Sequence, residues 1–299
     1  MNDHLTAGEF QAMTGLSTKA LRLYAERSIV PPDHVDPNSG YRYYARAQLQ
    51  QGVTVDLLRR AQVPLTELAG AAEFPFDTWR QTVQLRRHLE DFYLDVAERV
   101  SVFDPADFVA HSTPAPAVNW VGVIIDLGIP DDVEGRIEAF TGLSVGTPAV
   151  ERAFGEALDD LAIGPADTAW TAVPDTAGTT TSGRMLLARP VPAPATAAGL
   201  GRPALELIEH RVRADTGQAV SALAGTLPRR IELTFTSARP SELTPVEEAA
   251  EGYLHVLAFE HHLARHGHTA LRPTARMVSP SGTMFGGTGA PVATFDIRP

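Results

Sequence analysis

From Phe10 onward the apolar positions keep a helical spacing: Phe10, Met13 and Leu16, then Leu21 and Leu23, then Leu49, Val53, Leu57 and Leu58. Thr6-Ala-Gly-Glu9 has the Thr-x-x-Glu pattern of a capped helix start, Thr14-Gly15 breaks that helix, and Ser17 can cap a second one. Pro31-Pro32 stops the second helix. Asp36-Pro-Asn-Ser-Gly40 is a turn signal, after which Tyr41-Arg42-Tyr43-Tyr44 returns as a strand. A helix is predicted from Ala45 to Val63, and a short one from Leu65 to Phe74 between Pro64 and Pro75. From Asp77 to about Val102, the residues Trp79, Val83, Leu89, Phe92, Val96 and Val100 form a wide apolar stripe on one long helix.

Further on, alternation takes over. Asn119–Leu127 reads as a strand, Pro148–Ala162 as a helix, and Asp167–Val173 and Met185–Val191 as strands. A second pass follows: strands at Leu205–Arg213 and Arg229–Ser237, a helix from Thr244-Pro245 to His266, and strands at Leu271–Val278 and Pro291–Arg298. The three prolines between Asp104 and Ala117 mark a linker, and the Ala/Pro-rich run from Pro190 to Pro203 a connection. The expected class is α+β, in four parts. Residues 1–75 are expected to form a winged helix-turn-helix, 76–103 a long amphipathic helix, 104–117 the linker, and 118–299 a domain with a duplicated βαββ order.

The head carries the chemistry that this order needs. Two short helices and a basic, aromatic ribbon place a recognition helix for a major groove beside a ribbon for the phosphates. Candidate contacts are Thr6, Ser17, Thr18, Lys19, Arg22 and Tyr24 on the helices, with Tyr41, Arg42 and Tyr43 on the ribbon. The run Leu21-Arg22-Leu23-Tyr24, Pro31-Pro32 and Gly40-Tyr41-Arg42-Tyr43-Tyr44 resembles the MerR family of bacterial transcription regulators in order and spacing, over about the first hundred residues. The family usually has an aromatic at Leu23, an acid at Ala25 and a glycine at Ser28. The resemblance implies a homodimer paired through the long helix, double-stranded promoter DNA and RNA polymerase as partners, and distortion of the promoter when an effector binds.

Composition refines this picture. The net charge is −11, yet residues 1–62 hold seven Lys/Arg against six Asp/Glu, and residues 101–299 hold fourteen against twenty-three. The acid lies in the second half, so net charge does not argue against DNA binding by the first. No cysteine occurs, which excludes disulfides and thiolate metal sites. The Met1-Asn-Asp-His start carries no apolar run, and no stretch approaches the roughly 18 apolar residues of a membrane span, so a soluble cytoplasmic protein is expected.

The element order of residues 118–299 resembles the GyrI-like effector domains of multidrug-sensing MerR relatives, which implies a small-molecule ligand between the two passes. Candidate ligand residues are Trp120, Asp126, Trp170, Phe235, Tyr253 and Glu260. Aromatic faces beside a carboxylate suit an organic cation. The strand Leu271-Arg-Pro-Thr-Ala-Arg-Met-Val has two arginines and no acid, which leaves an anionic or neutral ligand equally open.

Five histidines crowd together at His255, His261, His262, His266 and His268. His262 and His266 have a chelating spacing but no clear third ligand, so neither a metal nor a cofactor is expected. The glycines of 282–289 lack the Lys-Ser/Thr of a phosphate loop and read as a hairpin tip. No nucleophile–base motif is present, so no enzyme is expected; the alternative function is a GyrI-like module that sequesters or hydrolyses a small molecule.

Overall fold

The computed structural model describes residues 4–69, 74–128, 133–164, 166–174, 183–191, 200–238, 244–271, 275–280 and 291–299, with the backbone alone for 133–145. It divides into two compact units, Met1–Gln81 and Thr82–Pro299.

In the first unit, β1 (His4–Thr6) leads into α1 (Ala7–Thr14) and α2 (Thr18–Glu26). A ribbon of β2 (His34–Val35) and β3 (Arg42–Ala45) follows, and then α3 (Leu49–Arg60) and α4 (Leu65–Leu68). The strands form a three-stranded sheet in the order β1-β3-β2. Both predicted caps are made: the Thr6 and Glu9 side chains form the capping box of α1, and Ser17 Oγ accepts the Ala20 N–H at 3.1 Å. Gly15, at φ 80°, ends α1 and turns the chain toward α2. The core gathers Phe10, Leu16, Leu21, Tyr24, Val30 and Tyr44, among others, with Tyr44 stacked on Phe10 at 4.4 Å between ring centroids. Gly52 on α3 lets α1 come close, because a Cβ there would lie 2.7 Å from Thr14 Cγ2 and 2.8 Å from the Phe10 ring. The helix expected over Leu65–Phe74 ends at Leu68, and 70–73 lie outside the described residues.

The long helix α5 (Phe76–Ser101) has the predicted extent. The second unit then holds β4 (Phe108–Ala115), β5 (Val118–Asp126), α6 (Val133–Asp160), β6 (Thr168–Ala172), β7 (Arg184–Pro190), α7 (Arg202–Thr216) and β8 (Val220–Leu227). It closes with β9 (Arg230–Ser237), α8 (Pro245–His266), β10 (Arg276–Pro280) and β11 (Val292–Ile297). Eight strands make one antiparallel sheet in the order β4-β9-β11-β10-β6-β7-β5-β8. The order β5-α6-β6-β7 recurs as β9-α8-β10-β11, but each leading strand crosses over. β4 runs into β5 yet pairs with β9, and β8 runs into β9 yet pairs with β5.

Three expectations are corrected here. The linker is mostly strand: a short 3-10 turn at Pro105–Asp107 precedes β4, whose Pro114 sits near the end of an edge strand, where a missing N–H is tolerated. The strand expected at Leu205–Arg213 is the middle of α7. Its Leu205-x-Leu207 alternation is too short to outweigh Ile208 and Val212, four apart and both buried, with Pro203 in the first turn and Gly217 at φ 71° closing the helix. The helix predicted from Pro148 begins at Val133 and carries Pro148 in its interior. β8 had no counterpart in the sequence reading.

The faces of the sheet differ. Val121, Val123, Ile125 and Leu187 pack with Val150, Phe154 and Leu158 of α6 and Ile208 and Val212 of α7. Leu233, Phe235, Phe295 and Ile297 pack on the same side with Ala258 and Phe259 of α8. On the other side, the cluster of Trp120, Trp170, Ala172, Leu186, Ala188 and Leu227 consists of strand residues alone.

Candidate functional site

On α2, the residues that alternate with the core positions Leu21 and Tyr24 are Thr18, Lys19 and Arg22, all exposed. Thr18 Oγ1 donates to Gln11 Oε1 at 2.9 Å, tying the start of α2 to α1. The Arg22 guanidinium lies 3.1 Å from the Glu26 carboxylate with 74% of its side chain exposed, a solvated pair that holds the arginine loosely. Lys19 and Arg22 thus offer two cationic groups on one outward helix face.

The ribbon is anchored at its tip. Asp36 Oδ1 accepts the N–H groups of Asn38 at 2.8 Å and Ser39 at 3.1 Å, and these bonds, that of Ser39 foremost, hold its carboxyl below the usual range. Gly40, at φ 70°, completes the turn. Tyr41 is 69% exposed, Tyr43 stacks on His34 at 6.2 Å, and Arg42 is half-buried on the face shared with buried Tyr44.

Tyr24 is placed differently from expectation, while the Thr6 and Ser17 hydroxyls make the caps read from the sequence. Tyr24 is only 6% exposed and belongs to the core. The Thr6 hydroxyl is engaged with Glu9, accepting its N–H at 3.2 Å, and the Thr6 N–H first and the hydroxyl second, each donating to the Glu9 carboxylate at 2.8 Å, hold its pKa down. The Ser17 hydroxyl is engaged as a cap. Exposed Arg27 and His34 were not singled out from the sequence, where neither belongs to a motif. A cavity of about 620 Å³ in this unit is lined by Ile29, Gln51, Val55, Leu58 and Phe74, among others, and by none of Thr18, Lys19 and Arg22.

In the second unit, Trp120 and Trp170 meet edge-to-face, 6.4 Å between centroids, on the helix-free cluster of strand residues. Beside them, the Arg276 guanidinium lies 5.4 Å above the Trp170 ring. It donates to Asp296 Oδ2 at 2.8 Å and Oδ1 at 2.7 Å, and to Glu232 Oε1 at 2.8 Å. Arg230 completes the network through Glu232 and the Pro116 carbonyl. Arg276 and Asp296 are nearly sealed from water, so both charges are compensated internally and the arginine occupies one side of the indole.

The other ligand candidates separate. Asp126 is exposed at the end of β5, accepts the Gly128 N–H and lies 3.8 Å from Arg184. Phe235 is buried on the opposite side of the sheet, against Phe295 and His255. Tyr253 is 62% exposed and Glu260 is exposed. The stripe α8 buries is Ala250, Leu254, His255, Ala258 and Phe259, rotated by about one residue from the stripe read in the sequence, and this turns Tyr253 and Glu260 outward. Burial between Phe108 and Phe235 pushes the His255 pKa down, and nearby Glu251 opposes the shift.

The family model described as MerR HTH family regulatory protein matches residues 5–73. The multidrug-efflux transporter 1 regulator of Bacillus subtilis (strain 168) is 31% identical over 105 residues, which are 33% of this chain and 37% of that protein. The match therefore spans little more than a third of the relative's length. Among solved structures, the EcmrR–DNA complex in EcmrR-RPo aligns over 99% of this chain and 98% of that one at 13% identity and a TM-score of 0.34. A hydrolase from Listeria innocua aligns over 63% and 91% at 12% identity and a TM-score of 0.32. Similarity at those scores carries no argument. In the first unit, the stretch that the MerR HTH model matches holds α1 and α2 joined by the turn at Gly15, followed by the ribbon. Among the described residues no helix is long and apolar enough to cross a membrane.

Proposed function

We propose that this protein is a dimeric, ligand-responsive transcription regulator of MerR type, and not an enzyme. The observation that carries the reading is the outward row Thr18, Lys19 and Arg22 on the second helix of a MerR-type helix-turn-helix. In a homodimer two such helices enter successive major grooves, while Tyr41 and Arg42 lie along the flanking phosphates. Pairing runs through α5, where exposed Leu85 and half-buried Leu89 lie four apart on one face.

The second unit is read as the effector domain, a GyrI-like doubled βαββ, with the Trp120–Trp170 face receiving the ligand. Ligand binding shifts the dimer toward a form that distorts promoter DNA for RNA polymerase, a deformation of order 1–6 kcal/mol that differential ligand binding can supply. The internal ion network beside Trp170 favours an uncharged planar effector over a cation, since the indole already faces a guanidinium.

The test is binding of the protein to a labelled fragment of its own promoter, followed by anisotropy and footprinting. Arg22→Ala should weaken specific binding by roughly 1–3 kcal/mol if the guanidinium reaches a base edge. An unchanged footprint and affinity in that variant would remove the assignment.

A further inference from the structure

A second cavity, of about 290 Å³, lies on the side of the sheet opposite the tryptophans, between the C-terminal half of α8 and the start of β4. Its lining joins aromatic floor to basic wall: Phe108 and Phe235 below, with His261, His262, Arg265 and His266 above. The Phe235 ring meets His262 edge-on at 6.2 Å. Gly267, at φ 68°, turns the chain back so that His268 joins the same group, and the rings of His262, His266 and His268 stand 4.4, 5.4 and 5.7 Å apart.

Two features of this cluster ask for a partner. His262 Nε2 is shut off from water and makes no hydrogen bond, although a ring nitrogen in that setting normally has one. Three imidazoles so close together also repel one another once protonated. Burial first, and then the charges of His266, His268 and His261, push the His262 pKa down. The acid lining this cavity is Asp104, whose carboxylate accepts the Ala106 N–H at 2.9 Å. Glu251 lies further along α8, 3.7 Å from His255. Among the described residues no three His, Asp or Glu side chains are arranged to hold a metal ion. What fits is a negative charge among the basic groups and a flat apolar body on the phenylalanines. The volume sits at the small end of ligand sites and suits a single ring.

We propose that this cavity binds a small aromatic carboxylate, held by Arg265 and the imidazoles with its ring against Phe108 and Phe235. Binding draws a proton onto His262, so affinity rises as pH falls. The C-terminal end of α8 opposes an anion with its partial negative charge, and Arg265 with protonated imidazoles outweighs it. The site is independent of DNA and of the tryptophan face.

Calorimetric titration of the full chain with benzoate, benzamide and zinc tests it, at about pH 6 and about pH 7.5. Benzoate should bind at least about tenfold more tightly at the lower pH, with proton uptake, and benzamide should bind weakly at both. Arg265→Gln and His262→Gln should each cost benzoate about tenfold in affinity, while Trp120→Phe should leave it unchanged. Circular dichroism confirms that each variant is folded, and benzoate-detected saturation-transfer NMR on the native chain supplies a measure that needs no substitution. Equal binding of benzamide, an affinity that ignores pH, or zinc saturating the histidines without any uptake of benzoate would each overturn the proposal.

Discussion

Ser28 holds a Cβ at φ 55°, the left-handed region where glycine costs least, and it does so where MerR-like chains usually have glycine. Relief of roughly 1–2 kcal/mol of local strain is offset in part by the greater unfolded-state freedom of glycine. Ser28→Gly should therefore raise the denaturant-measured stability of the first unit by up to about 1 kcal/mol. His255 gives a prediction of opposite character. Its folded pKa is depressed, so the neutral ring stabilises the fold above the unfolded value of about 6.5, and that contribution is lost as pH falls through the folded pKa. The thermal midpoint should drop as pH falls below about 6.5, and His255→Phe should flatten that drop in part, because His262 shifts in the same direction. Thr6, Ser17 and Gly40 were legible in the sequence because caps and turns are local chemistry. Tyr24 and Glu260 were not: whether an aromatic or an acid on an amphipathic helix faces in or out depends on a phase that one residue of rotation reverses.

Among the elements, α5 combines two demands. Its last turns are covered, with Phe92, Val96 and Val100 packed against Val246, Ala250 and Leu254 of α8 and Arg99 donating to Glu247 at 3.1 Å. Leu85 is 45% exposed and Leu89 half-buried, and they sit four apart on one helical face. Leu85→Asp with Leu89→Asp should shift sedimentation toward a monomer at micromolar concentration and weaken promoter binding together with it. A dimer that persists in this variant would place the pairing elsewhere. Elements with a long period and clear ends, such as α5 and α8, were read from the sequence almost to the residue. α7 was misread and β4 and β8 missed. The small and polar residues of both strands, with Pro114 in β4, fit a strand only once β9 and β5 are beside them, and that pairing is non-local.

For the whole molecule, the acidic charge and the basic recognition face pull in different directions. With −11 overall, a regulator that reads DNA as proposed should be repelled from it at long range and attracted only where Lys19, Arg22 and their neighbours stand. Raising salt screens both contributions, so the slope of log affinity against log salt should be shallow, close to the few phosphates that one small head can neutralise. Titration of promoter binding across salt concentrations measures that slope, and a steep one would require more basic contacts than α2 and the ribbon supply.

The exchanged strands have their own consequence, which concerns the newborn chain. Phe108 pairs with Ser237, 129 positions later (237 − 108), so β4 leaves the ribosome long before the strand that will receive it exists. At about 5–20 residues per second the wait is roughly ten seconds, during which an unsatisfied backbone edge stands open to any neighbouring polypeptide. The hazard in making this protein is concentrated in that interval, and a helper that shields nascent strands should raise its yield more than any gain in the stability of the finished fold.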